Sequence, residues 1–478
     1  MKPAACVPAV AVLLAAAVAA AAVSGTAPAP ALTLHRTVPL SAARLDHLQE
    51  LDRVRLSRRV GVPEFGLLGM PGIYYTRVTL GNPPKQYSLQ FDTGSNLMWL
   101  RCSPCTDCPL SGQLDASLYS PSNSSTSSNI SCSDDFCKDA LKTGYSICQT
   151  SGTTSNQCGY SQAYAGETST EGYYVSVMHF DTVMENENES ATVSSASVIF
   201  GCSNSLSGQV QTDGFMGFGK DAPSVILQLS SQGVSPKAFS HCLTSLDDGG
   251  GIVVLGEVVE PGIVFTPLVQ SQPRYNLNMK SIAVNGQKVP INSSLFTTSK
   301  TQGTFVDSGA ALAYFPDGVY DPVIKAIVSA VPYSIRNYVM SGSRCFICSK
   351  RNVSSFPNVT LYFEGGAPMT VGPESYLLLK GGSARHHNEV ILCIGFLRSK
   401  EIEGYEHTTV LGDLILHDKV FVYDLEKTRI GWVNYNCSLL IKTSVVVSSG
   451  SSMRHTPSYC SGLVAIVVAI IHSNIITL

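Results

Sequence analysis

LQFDTGSNLMWL, Leu89 to Leu100, lies over TFVDSGAALAYF, Thr304 to Phe315, without a gap, and this pairing decides the fold. Each stretch is an apolar run broken by one aspartate. Burying an unpaired charge costs several kcal/mol, so such a residue is paired, protonated or used. Asp92 matches Asp307, Thr93 matches Ser308, and Gly94 matches Gly309. Each copy is followed by two apolar residues and a glycine: Phe215, Met216 and Gly217, then Val410, Leu411 and Gly412. The chain therefore reads as a duplication. Two related halves meeting about a pseudo-twofold axis would bring the two Asp-Ser/Thr-Gly turns into one site.

Facing carboxylates do not both ionise cheaply, so such a pair holds one proton across an acidic range. The ionised member can then act as a base and the protonated one as an acid. One Asp-Ser-Gly alone is weak evidence, because it also makes ordinary turns. Two copies in matching apolar strands are strong evidence.

The rest of the chain bounds this reading. Its 478 residues exceed one typical domain and suit two lobes with processed ends. Charged residues make up 14% and the net charge is -3, without a long basic stretch, which argues against a nucleic-acid partner. Residues 1–24 combine Lys2, an apolar run and small residues, as a signal peptide does. Fifteen cysteines and seven Asn-X-Ser/Thr sequons (Asn123, Asn129, Asn188, Asn292, Asn352, Asn358 and Asn436) fit the secretory pathway and an extracellular or cell-surface location.

Residues 25–70 hold Leu45, Leu48, Leu51 and Val54 at helical spacing among an excess of arginines. Two readings stand: a basic prosegment that covers an acidic cleft until low pH, or an ordinary amphipathic helix. From Gly72, short aromatic and β-branched runs separated by turn residues predict a mainly β fold. Helices are expected only over Pro223–Gln232 and Asp321–Val331. The two β lobes are expected at 71–268 and 269–440. Residues 441–478 contain a polar spacer and a short apolar tail, which suit a glycosylphosphatidylinositol (GPI) signal with attachment near Ser449 to Ser451 better than a membrane span.

From about Gly72 to Ser438 the chain resembles the pepsin-like aspartic endopeptidases, in the plant-type branch with a cysteine-rich N-lobe insert. The likeness rests on YYTRVTLGNPPKQYSLQFDTGSNLMWLRC, the CxxCxxC segment, DGFMGFG and TVLGDLILHDKVFVYDLEKTRIGWVNYNCS. It implies a bilobal pepsin-like fold and a cleft in which Asp92 and Asp307 activate a water, without metal or other cofactor. It implies a peptide or protein substrate and a monomer. Thr93 and Ser308 would brace the two turns, Gly94 and Gly309 would permit their approach, and Ser95 would bond Asp92. Trp99 would face the flap tyrosine, Tyr164.

Three departures stand out. The flap reads YAGETSTEG, with Gly166 and Glu167 in place of the branch's Asp-Gly and Thr168 in place of Ser. Asn96 replaces a usual Asp, a change expected to be minor. Ala310 aligns with Ser95 and removes the hydroxyl expected beside Asp307; a hydrogen bond to a charged group is worth roughly 1.5 to 3 kcal/mol.

Cys102, Cys105 and Cys108 read as disulfide partners rather than metal ligands, with Cys132, Cys137, Cys148 and Cys158 stapling the same insert. The resemblance pairs Cys345 with Cys393. Setting Cys6 and Cys460 aside with the processed ends leaves an odd number, and Cys348 is the expected free thiol. His386 and His387 read as surface residues. Two functions remain open: an acid endopeptidase, or a proteolytically weak binding or inhibitor glycoprotein on the same fold.

Overall fold

The computed structural model describes residues 31–36, 74–106, 108, 118–148, 156–164, 168–182, 194–208, 210–245, 250–340, 342–382, 389–402 and 404–439. All of these fall within a unit that spans 1–446; a second unit, 447–478, lies outside the described residues. The proposed signal peptide, the basic helical segment, the flap tip, His386, His387 and the C-terminal tail lie outside them too.

The duplication is visible as repeated topology. In the first half the strand Lys85–Asp92 runs parallel to Gly214–Gly217, which is antiparallel to Trp99–Thr106. In the second half Gly303–Val306 runs parallel to Thr408–Leu411, which is antiparallel to Ala313–Phe315. The glycine that ends each later element allows close backbone contact. A Cβ on Gly217 would lie 2.4 Å from the Asn96 carbonyl carbon, and one on Gly412 would lie 2.2 Å from the Leu312 carbonyl oxygen. Only glycine fits either crossing.

A shared sheet joins the halves. Its strands run in the order Val264–Pro267, Arg429–Asn434, Lys419–Asp424, Ala238–Leu243, Gly251–Val254 and Ala31–Arg36, then continue into the first half's sheet. A linear cut at residue 268 therefore crosses this sheet, because the last two strands of the chain pair with strands of the first half. The strand Ala31–Arg36 belongs to the same sheet. It lies inside the expected prosegment, yet it pairs with both Gly251–Val254 and Tyr74–Leu80. Its alternating Leu32, Thr33, Leu34 pattern buries both leucines, but the six-residue run is overshadowed in sequence by the helical pattern that follows.

The expected helices form at Val225–Ser231 and Asp317–Ala330. The second begins four residues before the expected Asp321, because Val319 and Tyr320 are buried and pull the first turn into the core. A third helix, Asp135–Lys142, was not foreseen; the Asp134 side chain caps it by accepting from the Phe136 N–H. It sits in the insert, which is held by Cys132–Cys148 and Cys137–Cys158. The sulfurs of Cys132, Cys137 and Cys148 cluster because these two crosslinks are adjacent. The other pairs are Cys102–Cys202, Cys105–Cys108, Cys242–Cys437 and Cys345–Cys393, and Cys348 is free and buried.

The shared sheet buries a histidine. His241 Nε2 lies 3.0 Å from Tyr423 Oη, and its ring stacks on Phe421. Burial holds its pKa down to about 3, against an ordinary value of 6.5. The unfolded chain binds this proton below pH 6.5 and the folded chain does not, so the stability His241 contributes above 6.5 is lost as pH falls towards 3. We predict that His241→Gln is less stable than wild type at pH 7, and that the gap narrows by about 1.4 kcal/mol for each pH unit below 6.5. Guanidinium unfolding at pH 7, 5 and 3.5 measures the gap; a constant gap would contradict the prediction.

Candidate active site

The two turns meet at the end of their strands, with both aspartates buried. The Thr93 N–H donates to Ser308 Oγ at 3.0 Å, and the Ser308 N–H donates to Thr93 Oγ1 at 2.9 Å. Each hydroxyl thus satisfies the other turn's backbone. The Gly94 N–H donates to Asp92 Oδ1 at 2.8 Å, and the Gly309 N–H donates to Asp307 Oδ1 at 2.9 Å. A Cβ on Gly94 would lie 2.4 Å from Asp307 Oδ1. That contact places the first turn directly against the second carboxylate and excludes any side chain at Gly94.

The later elements hold each turn in place. The Phe218 N–H donates to the Asp92 carbonyl and the Gly219 N–H to the Ser95 carbonyl, both at 2.8 Å. On the other side the Asp307 N–H donates to the Leu411 carbonyl at 3.0 Å, and the Asp413 N–H donates to the Ala310 carbonyl at 2.7 Å. Beyond this frame the halves differ. Ser95 Oγ donates to Asp92 Oδ2 at 2.6 Å, whereas the aligned Ala310 is fully buried and offers no hydroxyl.

Trp99 and Tyr164 are brought together as the resemblance implied. Trp99 Nε1 donates to Tyr164 Oη at 2.7 Å, and both rings pack on Phe215. Burial, with the Asp92 charge next in effect, pushes the Tyr164 phenol well above its ordinary range, so it stays neutral. The Tyr164 N–H donates to the Thr168 carbonyl at 2.9 Å, which closes the base of the hairpin below the undescribed tip.

Asn96 is less minor than its sequence context suggested. Its Nδ2 donates to Tyr145 Oη at 2.7 Å, and its Oδ1 accepts from the Asp221 N–H at 3.2 Å. One amide therefore ties the first turn to the disulfide-stapled insert. Sequence reading also missed Tyr423, Tyr145 and Arg274. Tyr423 joins buried His241 to the Thr93 hydroxyl and stacks on Phe239. Only the identity of the partners reveals these roles, since none of the three belongs to a repeated motif.

Residues 74–257 match the family described as "Xylanase inhibitor N-terminal" and residues 274–434 the one described as "Xylanase inhibitor C-terminal". Aspartic proteinase 36 of Arabidopsis thaliana is 34% identical over 418 residues, covering 85% of this chain and 82% of its own. The chain belongs to the plant pepsin-like aspartic protease family. Aspartic proteinase 39 of the same organism is also 34% identical, over 83% of this chain and 82% of its own. Nepenthesin-2, an aspartic proteinase of Nepenthes gracilis, is 27% identical over 77% of this chain and 78% of its own. The crystal structure of Basic 7S globulin from soybean shares the fold, with a TM-score of 0.59 at 16% identity, over 87% of this chain and 99% of its own.

In this fold the brace links the turns of the two halves directly. We predict that Ser308→Ala, which leaves the buried Thr93 N–H without its acceptor, costs about 1 to 3 kcal/mol of stability. Denaturant unfolding of the variant reads this directly, and a loss below about 0.5 kcal/mol would show that the brace contributes little.

Proposed function

We propose that the protein is an aspartic-type endopeptidase that hydrolyses peptide bonds at acid pH. The observation that carries this reading is the pair of buried aspartates held by reciprocal bonds between Thr93 and Ser308. Between them, one carboxylate takes a proton from a water as its oxygen attacks the peptide carbonyl, and the other donates to the developing oxyanion. The tetrahedral intermediate then collapses, the C–N bond breaks, and the leaving amine takes up a proton. The donors fixed on Asp92 and Asp307 need no reorganisation during this sequence. A substrate lies extended in the cleft, under the hairpin whose base carries Tyr164.

We further propose that the chain enters the secretory pathway, carries a basic prosegment and reaches the cell surface with a GPI anchor. The six disulfides support the first point, and the exposed sequon asparagines Asn123, Asn129, Asn292, Asn358 and Asn436 are open to glycosylation. The binding or inhibitor reading draws its support from Ala310 and from the matched families being described as xylanase inhibitor domains. The retention of both aspartates in a braced geometry favours the protease.

Cleavage of a denatured protein by the processed form at acid pH tests the choice. Asp92→Asn and Asp307→Asn are expected to lose at least about a thousandfold in kcat/KM, since an acid–base pair fails as a unit. Wild type as inactive as both variants would defeat the protease reading. Among active forms, Ala310→Ser restores a donor to the charged pair, and the acid limb of its pH–rate profile should move down by about one unit. Superimposable profiles would remove Ala310 from any account of the pH range.

A further inference from the structure

Arg274 stands at the start of the second half, where its internal partners are neutral rings and a phenol. It precedes Tyr275, whose hydroxyl donates to the Phe218 carbonyl at 2.7 Å, and Phe218 is bonded in turn to the Asp92 carbonyl. The Arg274 guanidinium lies 4.8 Å from the ring centroid of Phe305, two residues before Asp307, and 5.1 Å from that of Tyr405. Its Nη2 donates to Tyr405 Oη at 2.6 Å. From the insert, half-buried Tyr145 is within electrostatic reach of Asp221, Arg274 and Asp92 together. The cation is thus half-buried, packed on Phe305 of the strand that leads to Asp307 and adjacent in sequence to Tyr275, which is tied to the Asp92 side through Phe218.

Its partners set it apart from the ion-paired arginines. Arg101, Arg336, Arg398 and Arg429 each have a carboxylate within ion-pair distance. Among the described residues Arg274 has none. A guanidinium carries five N–H donors in a rigid fork suited to bidentate carboxylate binding. Phe305 and Tyr405 fix its plane, and Tyr405 occupies one edge. A half-buried cation held in this way is costly unless something answers its charge.

We propose that Arg274 is a specificity residue that binds a carboxylate of the peptide substrate, with Tyr405 positioning its guanidinium. This rests on the endopeptidase reading. The carboxylate is either an acidic side chain near the scissile bond or the end of a short peptide, and both present the same group to the fork.

The test uses the processed full protein at about pH 5.5, where a glutamate side chain is ionised. Peptides carry Glu or Gln in turn at each of the positions flanking the cleaved bond, and a parallel pair ends in a free acid or an amide. At one position wild type should prefer Glu over Gln by about tenfold to a hundredfold in kcat/KM, the range of a hydrogen-bonded charge. In Arg274→Gln that ratio should fall to about one, with Arg274→Lys keeping part of it. Because each variant is compared with itself, a partly misfolded preparation does not imitate the result. A preference confined to the acid and amide pair would assign the site to the peptide terminus. No preference in wild type, or one that survives in Arg274→Gln, overturns the proposal. If no peptide is cleaved, the endopeptidase reading fails separately. Calorimetric titration with the same peptides then decides the site, and equal affinities for Glu and Gln peptides in wild type would overturn it.

Discussion

Two hydrogen bonds between Thr93 and Ser308 hold the rest of the structure to its purpose. Each turn has a buried backbone N–H that its own half leaves without an acceptor, and the only remedy is the hydroxyl of the other half. An unsatisfied buried donor is expensive, so neither turn is complete alone. The shared sheet, the glycine crossings at Gly217 and Gly412 and the contact of Gly94 with Asp307 all follow from bringing these two points within reach.

The symmetry stops at the third residue after each aspartate. On the Asp92 side Ser95, Asn96 and Trp99 each make a side-chain bond, and these bonds lead to the carboxylate, the insert and the flap respectively. On the Asp307 side the corresponding positions are Ala310, Ala311 and Tyr314, and the backbone carbonyls of Ala310 and Ala311 accept from the N–H groups of Asp413 and Leu414, with Gly412 in close contact. The first half thus carries side-chain links from its turn that Ala310 and Ala311 cannot make in the second.

What could be read in the sequence follows the same division. The repeat of Asp, Ser/Thr and Gly in matching strands was legible because it uses adjacent residues, and the structure builds the two copies alike. The strand Ala31–Arg36 was not, because its place depends on partners at Gly251–Val254 and Tyr74–Leu80 rather than on its own short pattern. Tyr145, Tyr423 and the bond that Asn96 makes were missed for a related reason. Each acts through a bond to a residue at least 49 positions away, or through a phenol packed against a distant turn, and local composition carries no trace of such a link.

The same long-range wiring sets a conflict between fold and chemistry. A carboxylate pair that shares a proton works in acid, but acid is where buried neutral histidines are most costly. His241 sits one bond from Tyr423, which reaches the Thr93 hydroxyl, so protonating it would disturb the brace as well as the sheet. His417 is held well below its ordinary pKa by burial, with the charges of Arg36 and Lys419 adding to the effect. The residue next to His241 in the strand Ala238–Leu243 answers this cost: Cys242 is joined to Cys437, 195 positions away. A crosslink closing so long a loop restricts the unfolded chain strongly in the chain-entropy account, and that restriction does not depend on pH. The strand that carries His241 is therefore also tied covalently to the segment after the last strand, so the fold itself bounds any chemistry the aspartates could perform in acid.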